Sequence, residues 1–176
     1  KLDETVPDAN IARAQLGLQG RFVLGFLGSF FAWEGLELLL RALPRIHLQR
    51  PDIAVLLVGS GPEFLRLRQL ATSLGLENHV CFAGQVPHSR ILQMYAAVDL
   101  LVFPRVPIRL TEMVTPIKPL EAMALGKVVM ASDVGGHREL VEHGRTGWLF
   151  EAGSAEALAD AVLELAPAHD VQAQLQ

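Results

Sequence analysis

The chain has 176 residues but one cysteine, one tyrosine, two tryptophans and no surplus of positive charge. The lone thiol, Cys81 in HVCFAG, excludes an internal disulfide and fits a reducing compartment, and its strand-like setting reads as packed core. With 15 Lys and Arg against 19 Asp and Glu, the net charge of −4 favours neither nucleic acid nor a bulk anionic membrane surface, so any basic site must be local. No apolar run reaches the roughly 18–20 residues of a membrane span, and no signal-peptide pattern is seen, so a cytoplasmic location is expected. The six histidines lack metal-ligand spacing, and no second cysteine helps them. Neither a nucleophile elbow nor a P-loop lysine is found, which argues against a hydrolase or an NTPase. GSGPEF (59–64) lacks the third glycine of a dinucleotide fingerprint and follows the second strand, which argues against a nicotinamide site.

What is there is apolar and periodic. Hydrophobic residues make up 51% of the chain. Short continuous runs read as strands: RFVLGFLG (21–28), IAVLLVG (53–59), HVCFAG (79–84), VDLLVFP (98–104), KVVMAS (127–132) and a short TGWLF. Between them lie helical periods at 35–50, 63–75, 89–97, 119–126, 137–144 and 154–166, the last with Ser154 as N-cap. The first of these has apolar residues at 36, 39, 40 and 43. Strand–helix alternation with continuous apolar strands predicts an α/β domain: a Rossmann-like parallel sheet of five or six strands with helices on both faces. The whole chain, 1–176, reads as a single domain with its core at 20–166. The polar start KLDETVPDANIARAQLG, within a leading helix or linker at 1–19, is expected to be a cut through a larger protein.

In such sheets ligands bind beyond the carboxyl ends of the strands. Four of the five loops there carry glycine, which either lets backbone approach a ligand or simply serves a tight turn. GSFFAWEG (28–35) is expected to offer free amides to a phosphate at a helix start. Packing explains FPRVPIRLTEMVTPIKPLEAMALGK (103–127) least, because it sets four prolines and a cluster of charges between a buried strand and a helix. Pro119 suits a first helical turn. Leu120, Met123 and Ala124 read as the apolar face, with Glu121 off it near the positive helix end. Glu121 is either a helix-dipole carboxylate or an acceptor for two hydroxyls, as from a ribose.

KPLEAMALGKVVMASDVGGHRELVEHGRTGWLF resembles the donor-binding half of family 4 (group 1) retaining glycosyltransferases of the GT-B fold, and LLVGSGPEFLRLRQLATSLGLENHVCFAGQVPHSRILQMYAAVDLLVFP resembles the preceding block of the same family. The resemblance covers residues 20–165. GSFFAWEGLELL and PRVPIRLTEMVTPIKPLEAMA further resemble the subgroup associated with exosortase and exopolysaccharide clusters. The resemblance implies that Glu121 holds the nucleotide ribose and Gly28 lies near the diphosphate. It implies that Val86 and Pro87 flank the base, and that Thr115, Pro116, Lys118 and Leu120 stand on the donor side. Gly59 and Gly61, on the second loop, are expected to line the same site.

Three departures from the family pattern matter. Ser29 and Glu34 stand where the first loop usually carries an arginine and a lysine that grip the diphosphate. Glu112 lies one residue early for the first glutamate of the E-x7-E motif, whose place is taken by Met113. Thr115–Pro116 replaces Phe-Gly. Glu112 is still expected at the donor sugar as the candidate catalytic residue. A buried diphosphate needs donors or positive charge, which Lys118 with Arg105 or Arg109 would supply, unless those arginines pair with Glu112 or Glu34.

The resemblance implies a nucleotide-diphosphate sugar as substrate, no metal or cofactor, no nucleic acid, and a glycan or lipid-linked acceptor bound largely by an amino-terminal lobe outside this sequence. The isolated fragment is expected to bind nucleotide without transferase activity. The intact protein would lie at the inner membrane face if its acceptor is lipid-linked. The alternatives are a fragment of a GT-B-type UDP-sugar epimerase and a non-catalytic α/β interaction domain.

Overall fold

A computed structural model of the chain describes residues 7–166. Six strands form one all-parallel sheet: β1 Phe22–Leu27, β2 Ile53–Val58, β3 Val80–Gly84, β4 Leu100–Phe103, β5 Val128–Ser132 and β6 Trp148–Phe150. The helices are α1 Ala9–Leu16, α2 Leu36–His47, α3 Phe64–Ser73, α4 Ile91–Ala97, α5 Arg109–Met113, α6 Lys118–Ala124, α7 Gly135–Arg138 and α8 Ala155–Leu165. α2 packs against α3 and α8, α1 packs against α4, and α6 lies against β4 and β5. Every residue of β2 and β4 is buried, as expected of strands covered on both faces.

The strand order β3-β2-β1-β4-β5-β6 reverses direction between β1 and β4, the place where doubly wound sheets open a ligand crevice. The register shows how it opens here. β1 pairs with β4 only through Leu24–Leu100 and Gly25–Leu101. The pairing ends there, and the Phe26 and Phe103 rings that follow, 6.0 Å apart and edge-on, line the cavity above the two strands.

The leading helix is docked to the domain. Asp8 caps α1 by accepting from the Asn10 and Ile11 amides, and Arg13 reaches across to Asp99 Oδ1 at 2.6 Å and the Ala97 carbonyl at 3.0 Å. Asp99 also takes the Val23 amide at 2.7 Å, so one carboxylate ties α1 to the start of the sheet. Residues 1–6 of the leading segment lie outside the described residues.

Three local expectations need correction. The period at 137–144 predicts a helix, but α7 ends at Arg138; the chain then turns, and the Glu142 amide and carbonyl bond Thr146 instead. The stretch after β4 is not all loop, because α5 forms within it, with Thr111 Oγ1 accepting the Ile108 amide. The buried face of α6 is Pro119 and Ala122, with Met123 half-buried, whereas Leu120 is 47% exposed and Ala124 is exposed. Reading Leu120 and Ala124 as the inward face placed the stripe one residue too far along.

Candidate functional site

The loops after β1, β2 and β3 are laced together through their backbones. The Gly28 amide donates to the Val58 carbonyl (2.9 Å), Phe30 to Ser60 (3.0 Å) and Gly59 to Gly84 (2.8 Å). This narrows the expectation for GSFFAWEG: the Gly28 and Phe30 amides are spent on the neighbouring loop, those of Phe31, Glu34 and Gly35 within the loop itself, and the Ser29 amide has no partner among the described residues. The loop also makes a 3-10 turn (Ala32–Glu34) before α2 starts, so no open helix end faces the crevice. The glycines serve the same lacing. A Cβ on Gly59, whose φ is +129°, would lie 1.9 Å from the Gly28 carbonyl oxygen, and one on Gly61 would lie 2.6 Å from the Phe30 backbone.

Above these loops lies a cleft in two halves. One, about 300 Å³, is lined by Gly28, Ser29, Gly59, Val86, Tyr95 and Lys118 among others. The other, about 270 Å³, is lined by Gly28, Ser29, Trp33, Arg105, Pro116 and Lys118 among others. Gly28, Ser29 and Lys118 belong to both, so Lys118 stands at the waist.

Lys118 Nζ donates to Glu121 Oε2 at 2.9 Å, with the two side chains 50% and 45% exposed. Beyond Glu121 stands Tyr95, the sole tyrosine, which is only 4% exposed. Its phenol is pushed up to about 12 by burial and by the Glu121 carboxylate facing it. Tyr95 thus stays a neutral donor, and Glu121 is held between an ammonium and a phenol. Sequence reasoning missed Tyr95 because it sits in SRILQMYAA at an ordinary apolar position of α4.

Arg105 is committed elsewhere. It forms a two-point pair with Glu34 (Nη2–Oε1 3.0 Å, Nε–Oε2 3.2 Å), each side chain 13% exposed, and its Nη1 donates to the Val114 carbonyl at 3.3 Å. Arg109 is exposed and lines neither half. Glu112, expected at the donor sugar, accepts the Gly135 amide at 2.7 Å and Arg138 Nη2 at 3.0 Å, so it caps α7 rather than lining the cleft. Thr115 gives its hydroxyl to Glu139; Thr115, Glu121, Pro87, Gly61 and Leu120 line neither half, Glu121 standing behind the lining side chains of Lys118 and Tyr95. The amides of Thr115 and Ile117 have no partner among the described residues. Gly135 and Gly136 let α7 press against this segment, since a Cβ on either would lie 2.1–2.2 Å from the Glu112 or Val114 carbonyl oxygen. No group of three or more His, Cys, Asp or Glu side chains among the described residues is arranged to hold a metal, and no described helix is long and apolar enough to cross a membrane.

The sequence model of the family described as "Glycosyl transferases group 1" matches residues 8–174. The chain belongs to the group 1 glycosyl transferases. It is 33% identical over 162 residues to the GDP-mannose-dependent alpha-(1-6)-phosphatidylinositol monomannoside mannosyltransferase of Mycolicibacterium smegmatis, covering 90% of this chain and 42% of that protein. Over 115 residues it is 36% identical to the N-acetyl-alpha-D-glucosaminyl L-malate synthase of Bacillus anthracis, covering 65% of this chain and 28% of that one. Among solved structures, Anabaena HepE in complex with UDP-glucose superimposes with a TM-score of 0.81 at 32% identity, over 96% of this chain and 45% of that one. The C-terminal domain of a group 1 glycosyl transferase from Francisella tularensis shares the fold at 20% identity with a TM-score of 0.73, over 90% of this chain and 82% of that one. This group 1 chain therefore has the fold of the C-terminal, donor-binding lobe of a GT-B glycosyltransferase, and it spans about two fifths of the M. smegmatis relative.

Proposed function

We propose that the cleft binds a nucleotide-diphosphate sugar, and that the whole enzyme, a retaining transferase of family 4, passes the sugar to a glycan or lipid-linked acceptor with help from an amino-terminal lobe. The observation that carries this reading is the two-part cleft at the β1/β4 switch point with a cation at its waist. The half with Val86 and Tyr95 takes the nucleoside, its ribose hydroxyls bonding Glu121. The diphosphate crosses at Gly28, Ser29 and Lys118, where the Thr115 and Ile117 amides add donors, and no divalent cation is required. The Anabaena relative was solved with UDP-glucose, and the mycobacterial one is named for GDP-mannose, so related clefts serve different bases and sugars. A lipid-linked acceptor would bring the whole protein to the inner membrane face, and the exosortase-associated subgroup is the setting that the 28–39 and 104–124 segments favour.

Magnitudes choose among the three cations. The Lys118–Glu121 pair is half exposed, worth at most about 1 kcal/mol, so a ligand can take Lys118 from Glu121 at little cost. Releasing Arg105 would strand the Glu34 carboxylate in a nearly buried site, at several kcal/mol. Lys118 is therefore the cation for the phosphates, and Glu121, once released, is free for the ribose.

Titration calorimetry with UDP, GDP, ADP and TDP tests the site. One diphosphate is expected to bind, with affinity unchanged by EDTA and weakened about tenfold or more in Lys118→Ala, as for loss of a charged hydrogen bond. Arg109→Ala is expected to leave it unchanged. A Lys118→Ala chain that binds as tightly as the parent would sink the assignment. A second expectation is that this chain alone shows no sugar transfer in a radiolabelled-donor assay; measurable turnover would overturn it.

A further inference from the structure

With the nucleoside placed against Val86 and Tyr95 and the diphosphate at Lys118, as proposed above, the half of the cleft beyond Lys118 keeps a wall that neither of them reaches. Phe31 and Trp33 stack there with ring centroids 4.4 Å apart and planes 10° from parallel, and Phe31 is 37% exposed. Both line the cavity, and the Glu34–Arg105 pair stands at the same wall. The platform is held from behind: the Trp33 carbonyl accepts the Val106 amide at 3.0 Å, and the next turn sits so close that a Cβ on Gly35 would lie 1.9 Å from the Pro104 carbonyl oxygen.

A flat aromatic face in an open cavity is a place for another apolar face. A carboxylate and a guanidinium at its rim supply an acceptor and donors together. A pyranose has both complements, a C–H face that stacks on a ring and a rim of hydroxyls that both give and accept hydrogen bonds. An acyl chain would leave the charged rim unused.

We propose that Trp33, backed by Phe31, is the stacking platform for the donor's sugar ring, with the Glu34–Arg105 pair reading its hydroxyls. The inference rests on the cleft being a nucleotide-sugar site, and the experiment separates the two. The Trp148→Phe chain leaves Trp33 as the only tryptophan, since the sequence has two. Its fluorescence is followed while UDP, UDP-glucose, GDP and GDP-mannose are titrated, and affinities are measured in parallel for Trp33→Ala and Trp33→Phe. The expected result is a fluorescence change with a nucleotide sugar that exceeds that with its diphosphate. Trp33→Ala should then lose about three- to tenfold of nucleotide-sugar affinity, the scale of one aromatic contact, with diphosphate affinity kept. Trp33→Phe should retain most of it. If none of UDP, GDP, ADP and TDP binds the parent chain, the nucleotide site itself is wrong and the platform falls with it. If a diphosphate binds but the sugar adds no fluorescence change, or Trp33→Ala weakens both ligands equally or neither, the platform assignment alone is overturned.

Discussion

Truncating Arg105 to alanine is expected to cost the fold about 3 kcal/mol, the low end of what is lost when one member of a buried ion pair is removed. The reason is Glu34. Its carboxylate is 13% exposed and takes two hydrogen bonds from Arg105, so truncation leaves a nearly buried charge with no cation against it. The bond from Nη1 to the Val114 carbonyl is lost as well, which loosens the segment before α6. Removing the carboxylate too should recover most of the loss, so Glu34→Gln with Arg105→Ala is expected to be more stable than Arg105→Ala alone. Urea unfolding of the three chains measures this. Equal losses in the single and double variants would show that the stranded charge is not the cause. Both proteins should still bind the diphosphate within about twofold of the parent, because the proposed binding mode does not use Arg105.

That pairing bears on how the first loop departs from its family. A glutamate where a phosphate-gripping lysine is usual would repel a diphosphate. Arg105 neutralises it from the β4 loop. The second pair, Lys118–Glu121, is the exposed one, and in the proposed binding mode it would dissolve into separate contacts with phosphate and ribose. The cleft thus holds two ion pairs of different cost to open, one structural because it is mostly sheltered and one available because it is half exposed.

The sheet could be read before the fold was seen because β2 and β4 are unbroken apolar runs, and burial on both faces produces that pattern. The crevice was legible only as a list of strand ends. That β1 and β4 stop pairing after Gly25 and Leu101 depends on register, which no local pattern encodes. Glu121 was found from its place near a helix start and from the family resemblance, and Lys118 from the positive charge that a diphosphate needs. Glu112 was misplaced because its partners, Gly135 and Arg138, lie more than twenty residues on, and only packing brings α7 under it. Phe31 and Trp33 were not singled out in the sequence. Their spacing on either side of Ala32, just before an αL glycine, was the signal for two rings turned to one side.

His137 gives the largest pH effect. It is fully buried, its Nδ1 lies 2.8 Å from the Ser132 carbonyl, and its Nε2 has no partner among the described residues. The carbonyl fixes the proton on Nδ1, so Nε2 is a bare acceptor. Protonating it would put an unpaired N–H and a charge in the interior near the Arg105 guanidinium. Burial first, and that neighbouring charge, hold the ring down to about 4; the Ser132 bond opposes them. The folded value is below the unfolded one, so above pH ~6.5 the group has no effect on stability. As the pH falls through the unfolded value of about 6.5, only the unfolded chain takes the proton. The loss grows until the folded ring titrates near 4, where it reaches about 3 kcal/mol. Near pH 5 about 2 kcal/mol should already be gone, before most carboxylates begin to titrate. His79, also held down by burial, adds to the parent's slope. His137→Phe, which removes the titrating group, should therefore keep the His79 part and lose the rest. Urea unfolding at pH 7.5 and pH 5.0 for the parent and His137→Phe isolates the difference. Parallel losses in the two chains would mean that His137 is not the acid-sensitive group, whatever the variant does to stability at neutral pH.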